Sequence, residues 1–199
     1  MASPRTLYLV RHGETEWNRI GRWQGATDIP LSDLGRAQAR LLAARLRDRR
    51  IAAVYASQLS RALETAQILA AGLGAPAPTV DPRLRERGYG AFEGLTREEC
   101  AERFPRVWEQ YLADRRVVPP NAEPQAQVTE RITAAMLEIA AAADDRPDAE
   151  AILVVSHGGV IRSFVHAVTG VVPPPLENGA VFRLRFERGA FVTAELAPA

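Results

Sequence analysis

The sequence predicts an α/β fold in which a mostly parallel central sheet lies between two layers of helices. Residues 6–10 (TLYLV) and 151–156 (AILVVS) are short, continuous apolar runs, which are typical of strands covered on both faces. Segments with helical periodicity lie between these runs. Strands that alternate with helices favour a three-layer α/β/α arrangement.

The first half of the chain contains two predicted helices on either side of a further strand. Ser32 can cap a helix that extends to about Asp48. Its expected apolar face consists of Leu34, Ala37, Leu41 and Ala44. A weaker apolar run at residues 52–57 predicts a third strand, and glycines end a second helix expected over residues 60–73.

The second half continues the alternation and ends in a predicted hairpin. Thr96 opens a capping box for a short helix, and Pro105 starts the next one. A longer helix is expected over residues 125–143 and another over residues 159–168. The apolar stripe of the helix over residues 125–143 consists of Val128, Ile132, Ala135 and Ile139. Residues 180–196 alternate apolar and polar about a central turn, which predicts a hairpin at the sheet edge.

Length and composition predict a single domain over residues 1–199. We expect residues 95–124, which contain the two predicted short helices, to form a short helical cap region. The chain is 47% hydrophobic with a formal net charge of +1, which gives no general attraction to nucleic acid or membrane surfaces. No apolar run approaches the roughly 18 residues of a membrane span, and no secretory signal is recognisable, so we expect a cytoplasmic protein. All 25 basic residues are arginine, so any anion site must use guanidinium groups.

Two predicted strands end in nearly the same way, with a histidine followed by glycine. Residues 9–14 read LVRHGE and residues 154–159 read VVSHGG. Because ligands of open α/β sheets bind beyond the carboxyl ends of the strands, His12 and His157 are expected together at that edge. A single histidine there is more often structural, but a matched pair beside Arg11 indicates a functional site.

Arg61 is a second basic candidate, since it lies near the start of the helix after the third strand. A helix N-terminus offers free N–H groups and partial positive charge, which favour anions. Together with Arg11 and that helix start, it would form an oxyanion pocket around His12 that suits phosphate. The alternative for Arg61 is a surface salt bridge with Glu64.

Residues 84–94 (LRERGYGAFEG) form a glycine-rich loop that carries Glu86, Tyr89 and Glu93. Taken alone, the loop would expose solvated carboxylates. Beside a phosphate it would supply the proton donor that the site otherwise lacks.

Five segments, in order along almost the whole chain, carry a resemblance to a known family. They read LVRHGETEWN, GRWQGATDIPLSDLGRAQA, SQLSRALETA, LRERGYGAFEG and VVSHGGVIR. The chain resembles the histidine phosphatase superfamily, which includes cofactor-dependent phosphoglycerate mutases. The resemblance implies a phosphoglycerate mutase-like fold and an enzyme that transfers phosphoryl groups without a metal.

The resemblance also implies roles for individual residues. His12 would be the nucleophile and Glu86 the general acid and base. The phosphate pocket would consist of Arg11, Arg61 and His157. The expected substrate-binding residues are Thr15, Asn18, Gln24, Gly25, Tyr89 and Gly158.

These residue types suit a two-step phosphoryl transfer. His12 would attack phosphorus in line to give a phosphohistidine, which water then hydrolyses. Nearby guanidinium groups disfavour the protonated imidazole, and Glu86 would protonate the leaving alkoxide. The sequence has no HxH, HExxH or GxSxG pattern and no lysine for a Walker loop, so these other catalytic classes have no support.

Within this family the phosphoryl group passes either to water or back to a phosphoglycerate. The stretch from Leu95 to Pro124 is short and the chain ends soon after the last predicted strand, which favours a phosphomonoester hydrolase acting on a small metabolite. The alternatives are a 2,3-bisphosphoglycerate-dependent phosphoglycerate mutase, a phosphoprotein phosphatase and a phosphate-binding module on a disabled scaffold. Arg115 and Arg116 could meet a substrate carboxylate or form a solvated helix end.

The expected partner is therefore a small phosphorylated metabolite, with neither nucleic acid nor membrane, and a homodimer is left open. We expect no cofactor and no metal; 2,3-bisphosphoglycerate would be needed only by the mutase. Residues 121–124 (NAEP) depart from the family pattern, since Glu123 keeps an acidic position but Pro124 replaces a capping serine.

Overall fold

The computed structural model describes residues 4–114, 117–142 and 151–197. Within these ranges six strands form one sheet. The strands are β1 (Arg5–Arg11), β2 (Ile51–Ala56), β3 (Thr79–Val80), β4 (Ala151–Ser156), β5 (Val181–Glu187) and β6 (Ala190–Leu196). The helices are α1 (Glu16–Arg19), α2 (Asp33–Leu46), α3 (Ser60–Leu73), α4 (Arg97–Arg103), α5 (Pro105–Ala113), α6 (Gln125–Ala141) and α7 (Gly158–Thr169).

The sheet has the order β3-β2-β4-β1-β5-β6. The first four of these strands run parallel to one another, and β5 and β6 are antiparallel to their neighbours. The turn between β5 and β6 uses positive φ at Arg188 and Gly189, as two-residue hairpins require. The predicted mostly parallel sheet with a C-terminal edge hairpin is confirmed.

Alternate side chains of the central strands pack into two different helical layers. Leu7 and Leu9 of β1 belong to a core cluster with α6 and α7, whereas Tyr8 and Val10 belong to a cluster with α2 and α3. Strand β4 divides its side chains in the same way. Burial of each such aliphatic side chain contributes about 1.5–3 kcal/mol, so the two clusters hold the sheet between its helices. This is the predicted three-layer α/β/α architecture.

A third cluster lies on α4, α5 and the loop before them. Its buried members are Phe92, Leu95, Cys100, Trp108 and Tyr111. Thr96 caps α4 with the predicted capping box, and Pro105 occupies the first turn of α5. Burial raises the pKa of the Cys100 thiol to about 11, so this thiol stays protonated at neutral pH.

The prediction for the buried face of α2 is wrong. Leu34 and Leu41 are 55% and 63% exposed, and the buried residues of the helix are Gly35, Ala39, Leu42 and Ala43. The start of α2 packs directly on the backbone of Glu14, and a Cβ atom at position 35 would lie 2.1 Å from the Glu14 carbonyl oxygen. This close approach fixes the rotation of α2 about its axis.

The other helices agree with the sequence more closely. The bounds of α3 are those predicted, and α7 begins one residue earlier and ends one residue later than expected. The predicted apolar stripe of α6 is buried, although Ala143 lies outside the described residues. Neither the short helix α1 nor the short strand β3 was predicted from the sequence. In the part of the chain that the structure describes, no helix has the length and apolarity to span a membrane.

Candidate active site

The pairing of β1 with β4 brings the two histidines together. Arg11 lies opposite Ser156 in the parallel register of these central strands, so His12 and His157 leave the sheet side by side. Their ring centroids are 5.1 Å apart. The structure therefore places both histidines at the carboxyl edge of the sheet, where ligands of such folds bind.

His12 is buried and held in one tautomer by its own backbone. Its Nδ1 lies 2.6 Å from the Gly13 carbonyl oxygen, and since a carbonyl only accepts, Nδ1 carries the proton and Nε2 keeps its lone pair. Burial, together with the charges of Arg61 and Arg11, holds the pKa of His12 well below its usual value. The imidazole is therefore neutral near pH 7. The Gly13 N–H donates to Thr65 Oγ1 at 3.1 Å, which ties this turn to α3.

His157 is fully buried and precedes α7. Burial, with the charges of Arg61, His12 and Arg11, keeps its pKa well below the usual value, so this ring is neutral too. Neither ring nitrogen has a hydrogen-bond partner within the described residues. An unsatisfied buried polar group costs about 1–3 kcal/mol, and a bound ligand that accepts or donates there would recover it.

Arg61 is a fully buried side chain that is anchored to a loop, and among the described residues it makes no surface salt bridge. Its guanidinium donates to the carbonyl oxygens of Gly25 and Thr27, each at 2.8 Å. The alternative partner Glu64 instead accepts from Arg36 at 2.6 Å. The Nε of Arg61 has no partner in the described structure.

Arg11 completes the cationic side of the site. One Nη donates to the carbonyl oxygen of Leu176, while its buried Nε has no partner among the described residues. Burial lowers the pKa of Arg11, and the charges of Glu86 and Tyr89 oppose this shift. Arg11, Arg61 and His157 thus carry buried nitrogen atoms without hydrogen-bond partners among the described residues, and the charges of both arginines act on His12. Such an arrangement suits a tetrahedral anion.

A helix start other than the predicted one also lies at this site, that of α7. The first N–H of α3, at Ser60, donates to the Asp28 carboxylate at 2.7 Å, and the Ser60 hydroxyl donates to it as well. An anion at that N–H would have to displace the carboxylate. Gly158 and Gly159, at the start of α7, line the pocket, as Arg61 of α3 does.

Glu86 lies against the start of α7 and is 9% exposed. Its carboxylate accepts from the N–H of Gly159 at 3.0 Å and from the N–H of Arg87 at 2.8 Å. Tyr89 lies beside it, since a Cβ at position 159 would be 2.6 Å from Glu86 Oε1 and 2.9 Å from the Tyr89 hydroxyl. Burial, with the charges of Glu86 and Tyr111, raises the pKa of Tyr89 well above its usual value, so the phenol keeps its proton.

His12, Arg11, Arg61 and Glu86 line a cavity of about 330 Å³. Of the residues predicted from the sequence, those that line it are Arg11, His12, Asn18, Gln24, Gly25, Arg61, Glu86, Tyr89 and Gly158. Thr15 and His157 are fully buried and are not among the lining residues. The Thr15 hydroxyl accepts from the N–H of Asn18 at 3.2 Å and caps α1. Arg115 and Arg116 lie outside the described residues.

Sequence reasoning missed several residues around the cavity. Trp17, Trp23 and Arg162 line it, although the quoted motifs contain all three. Asn178 donates from Nδ2 to the carbonyl oxygen of His12 and to Asn18 Oδ1, both at 3.1 Å. The proline-rich loop before Asn178 has no periodic pattern, so no sequence signal pointed to it. Within the described residues, no three metal-binding side chains are grouped to hold a metal ion.

Comparisons with known proteins identify the family. Residues 7–197 match the family model described as histidine phosphatase superfamily (branch 1). This chain belongs to the histidine phosphatase superfamily. It is an enzyme of that family. Its relatives carry the names of phosphatases and of mutase-like proteins.

Individual relatives of this chain carry both kinds of name. It is 41% identical over 160 residues to phosphoglycerate mutase-like protein 4 of Arabidopsis thaliana, covering 79% of this chain and 68% of the relative. It is 36% identical over 166 residues to a metal-independent phosphoserine phosphatase of the same plant, covering 82% and 68%. A solved mycobacterial glucosyl-3-phosphoglycerate phosphatase complexed with VO₃ superposes with a TM-score of 0.84 at 29% identity, covering 98% of each chain.

Proposed function

We propose that this protein is a phosphomonoester hydrolase that acts on small phosphorylated metabolites through a phosphohistidine at His12. One observation carries the proposal. The neutral, buried imidazole of His12 lies with its ring centroid 5.1 Å from that of His157, and it lines a cavity together with Arg11 and Arg61. The two guanidinium groups and the His157 ring would bind the non-bridging oxygens of a phosphate whose phosphorus faces Nε2 of His12.

In the first step, Nε2 of His12 attacks phosphorus and the bond from phosphorus to the ester oxygen breaks. The proton of a protonated Glu86 passes to the leaving oxygen, and the alcohol departs. A general acid of this kind typically contributes about 10²–10⁴ in rate. Covalent catalysis divides one difficult displacement into two easier ones.

In the second step, water attacks the phosphohistidine. Glu86, now a carboxylate, takes a proton from the water, the bond between phosphorus and nitrogen breaks, and inorganic phosphate leaves. His12 returns to its neutral form. In both steps the two guanidinium groups offset charge on the transferred group, each by roughly 1–4 kcal/mol at 4 Å.

The deciding experiment is to trap the phosphoenzyme. With a ³²P-labelled phosphomonoester and rapid acid-free quenching, the unmodified protein should retain label that is stable to alkali and labile to acid. His12→Ala should retain none and lose turnover. His166→Ala is the matched control, because His166 is an exposed histidine of α7 outside the pocket, and it should behave as the unmodified protein does. A labelled His12→Ala protein would contradict the proposal.

A mutase reaction is the second candidate, since one of the relatives described above is named as phosphoglycerate mutase-like. Both reactions use the same phosphohistidine and differ in the acceptor. With 3-phosphoglycerate and a catalytic amount of 2,3-bisphosphoglycerate, a hydrolase releases inorganic phosphate, whereas a mutase forms 2-phosphoglycerate without net loss of phosphate. We expect phosphate release.

The pocket favours substrates that carry negative charge beyond the phosphate. Arg97 and Arg162 line it in addition to the two arginines near His12, and Glu86 is the one acidic residue among the described lining residues. We therefore expect higher kcat/KM for phosphate esters with a carboxylate than for neutral alkyl phosphates of equal size. A panel of such pairs, assayed by phosphate release, tests this.

We further propose that residues 1–199 act as one domain in which residues 95–124 form a short helical cap. Trp108 and Tyr111 of α5 pack on Trp23, with ring centroids 6.3 Å and 5.8 Å apart, and Trp23 lines the pocket. Helix α5 thus forms the support behind one wall of the cavity. The expected cytoplasmic location and independence from a cofactor stay predictions, and the oligomeric state stays open.

A further inference from the structure

The segment that carries Glu86 is held on its far side by three charged side chains, those of Arg85, Glu123 and Arg131. Arg131, in α6, donates through Nη1 to the carbonyl oxygens of Arg83 and Arg85, each at 2.7 Å. Its Nη2 donates to the carbonyl oxygen of Glu86 at 3.2 Å. One side chain therefore binds three carbonyls of the segment that presents the proposed general acid.

Glu123 connects Arg131 to the rest of that segment. Its carboxylate accepts two hydrogen bonds from Arg131, at 2.8 and 2.9 Å, and two from Arg85, both at 2.9 Å. It also accepts from the N–H of Gly88 at 3.3 Å. The backbone of Glu123 pairs with the same loop, since its N–H donates to Gly88 and its carbonyl accepts from Arg87 Nε, both at 2.8 Å. The loop is thus pinned on both sides of Glu86.

The cluster is largely withdrawn from solvent and stays charged. The side chains of Glu123 and Arg131 are 11% and 14% exposed. Burial opposes ionisation of Glu123, but the hydrogen bonds and charges of Arg131 and Arg85 prevail and lower the pKa of Glu123 to about 2. The ion pairs of Glu123 with Arg131 and Arg85 therefore persist over the whole pH range in which a phosphatase is assayed.

Glu86 is consequently fixed at two points, its main-chain carbonyl by Arg131 and its carboxylate by the N–H of Gly159. A general acid works only within about 2.6–3.2 Å of the atom that it protonates. A displacement of about 1 Å can cost on the order of 10²-fold in rate. Loosening the main-chain anchor should therefore affect proton transfer before it affects phosphate binding.

We propose that Arg131 and Glu123 are positioning residues for the proton-transfer steps, acting by fixing the main chain of the Glu86 segment. The inference rests on the proposed role of Glu86. Neither residue lines the pocket, so neither is expected to contact the substrate. Their effect should depend on how much the leaving oxygen needs a proton.

The test measures kcat/KM for a series of phosphate esters from nitrophenyl phosphate to alkyl phosphates. Nitrophenolate leaves without a proton, whereas an alkoxide needs one. Arg131→Met should lose about 10–100-fold on the alkyl esters and less than about threefold on nitrophenyl phosphate. Glu86→Gln is the reference for complete loss of the acid and should lose about 10²–10⁴-fold on the alkyl esters.

Arg83→Met is the matched control. Arg83 binds Glu138 at 2.8 Å and so ties the same segment to the same helix α6 through its side chain, without touching Glu86 or Glu123. This variant should keep the leaving-group dependence of the unmodified protein. Glu123→Gln keeps the shape of the side chain and gives a second test if Arg131→Met folds poorly, which thermal unfolding would reveal.

The outcomes separate the two proposals. If Glu86→Gln affects all esters equally, the acid role of Glu86 fails and the inference fails with it. If Glu86→Gln lowers kcat/KM mainly for alkyl esters but neither Arg131→Met nor Glu123→Gln does so, only the positioning role is overturned. It is also overturned if Arg83→Met becomes as selective as Arg131→Met, since that would reflect general loosening of the segment.

Discussion

The neutral state of His12 arises from its immediate surroundings. Burial and two arginine side chains disfavour a third positive charge, and the Gly13 carbonyl holds the remaining proton on Nδ1. In a chain without lysine, the permanent positive charges of such a site come from guanidinium groups, which bind phosphate oxygens as planar forks. The same charges that prepare the nucleophile are thus available to bind its target.

Gly159 gives a prediction about the acid. In Gly159→Ala the new methyl group would lie 2.6 Å from Glu86 Oε1 and 2.9 Å from the Tyr89 hydroxyl, so both side chains must move. We expect kcat/KM for alkyl phosphates to fall by about 10–100-fold, because the carboxyl leaves its position. Thermal unfolding should shift only modestly, since the higher helix propensity of alanine partly offsets the cost of moving these two side chains. Unchanged activity on alkyl phosphates would contradict the geometry given for Glu86.

Residues of the site differ in how far the sequence could predict them. His12, His157 and Arg11 follow from strand ends that carry the same pattern, which is a local signal. Arg131 and Asn178 could not be found in this way, because their contacts join positions far apart in the chain. Thr15 matches the expected motif, yet its hydroxyl is used to cap α1.

At the scale of elements, α2 shows why an apolar stripe is an incomplete guide. The helix has leucine and alanine on more than one side, so its composition allows several buried faces. The contact between Gly35 and the Glu14 backbone selects one of them, and that contact is tertiary. Helix α6 has one dominant stripe, and there the prediction is confirmed.

Leu41 and Leu42 give a matched pair that tests the orientation of α2. Leu42 is 5% exposed and Leu41 is 63% exposed. Leu42→Ala should lower the free energy of unfolding by about 2–5 kcal/mol, because it leaves a cavity in the core. Leu41→Ala should change it by no more than about 0.5 kcal/mol. Urea denaturation of both variants measures this, and the reverse order would place the wrong face of α2 against the sheet.

At the scale of the whole molecule, the two buried neutral histidines should make stability depend on pH. Their pKa values lie well below the usual value when folded and near about 6.5 when unfolded, so the unfolded chain binds their protons first as pH falls. Stability is therefore fully present above about pH 6.5. Below it, the free energy of unfolding should fall by up to about 1.4 kcal/mol per pH unit for each histidine.

Denaturant titrations between about pH 7.5 and pH 5 test this dependence. His157→Gln should reduce the slope by about half, because one of the two buried imidazoles is gone. His166→Ala removes an exposed histidine and serves as the control, which should keep the full slope. A stability that stays flat down to pH 5 in the unmodified protein would show that these rings are not held neutral by the fold.

The strand order has a consequence for biosynthesis. Strand β1 is made first, yet its two neighbours in the sheet, β4 and β5, are separated from it by about 140 residues or more of chain. A polypeptide still on the ribosome would therefore carry His12 without its scaffold until β4 has emerged. The time at which phosphate-ester cleavage first appears during translation would then show when β1 has paired with β4 and β5.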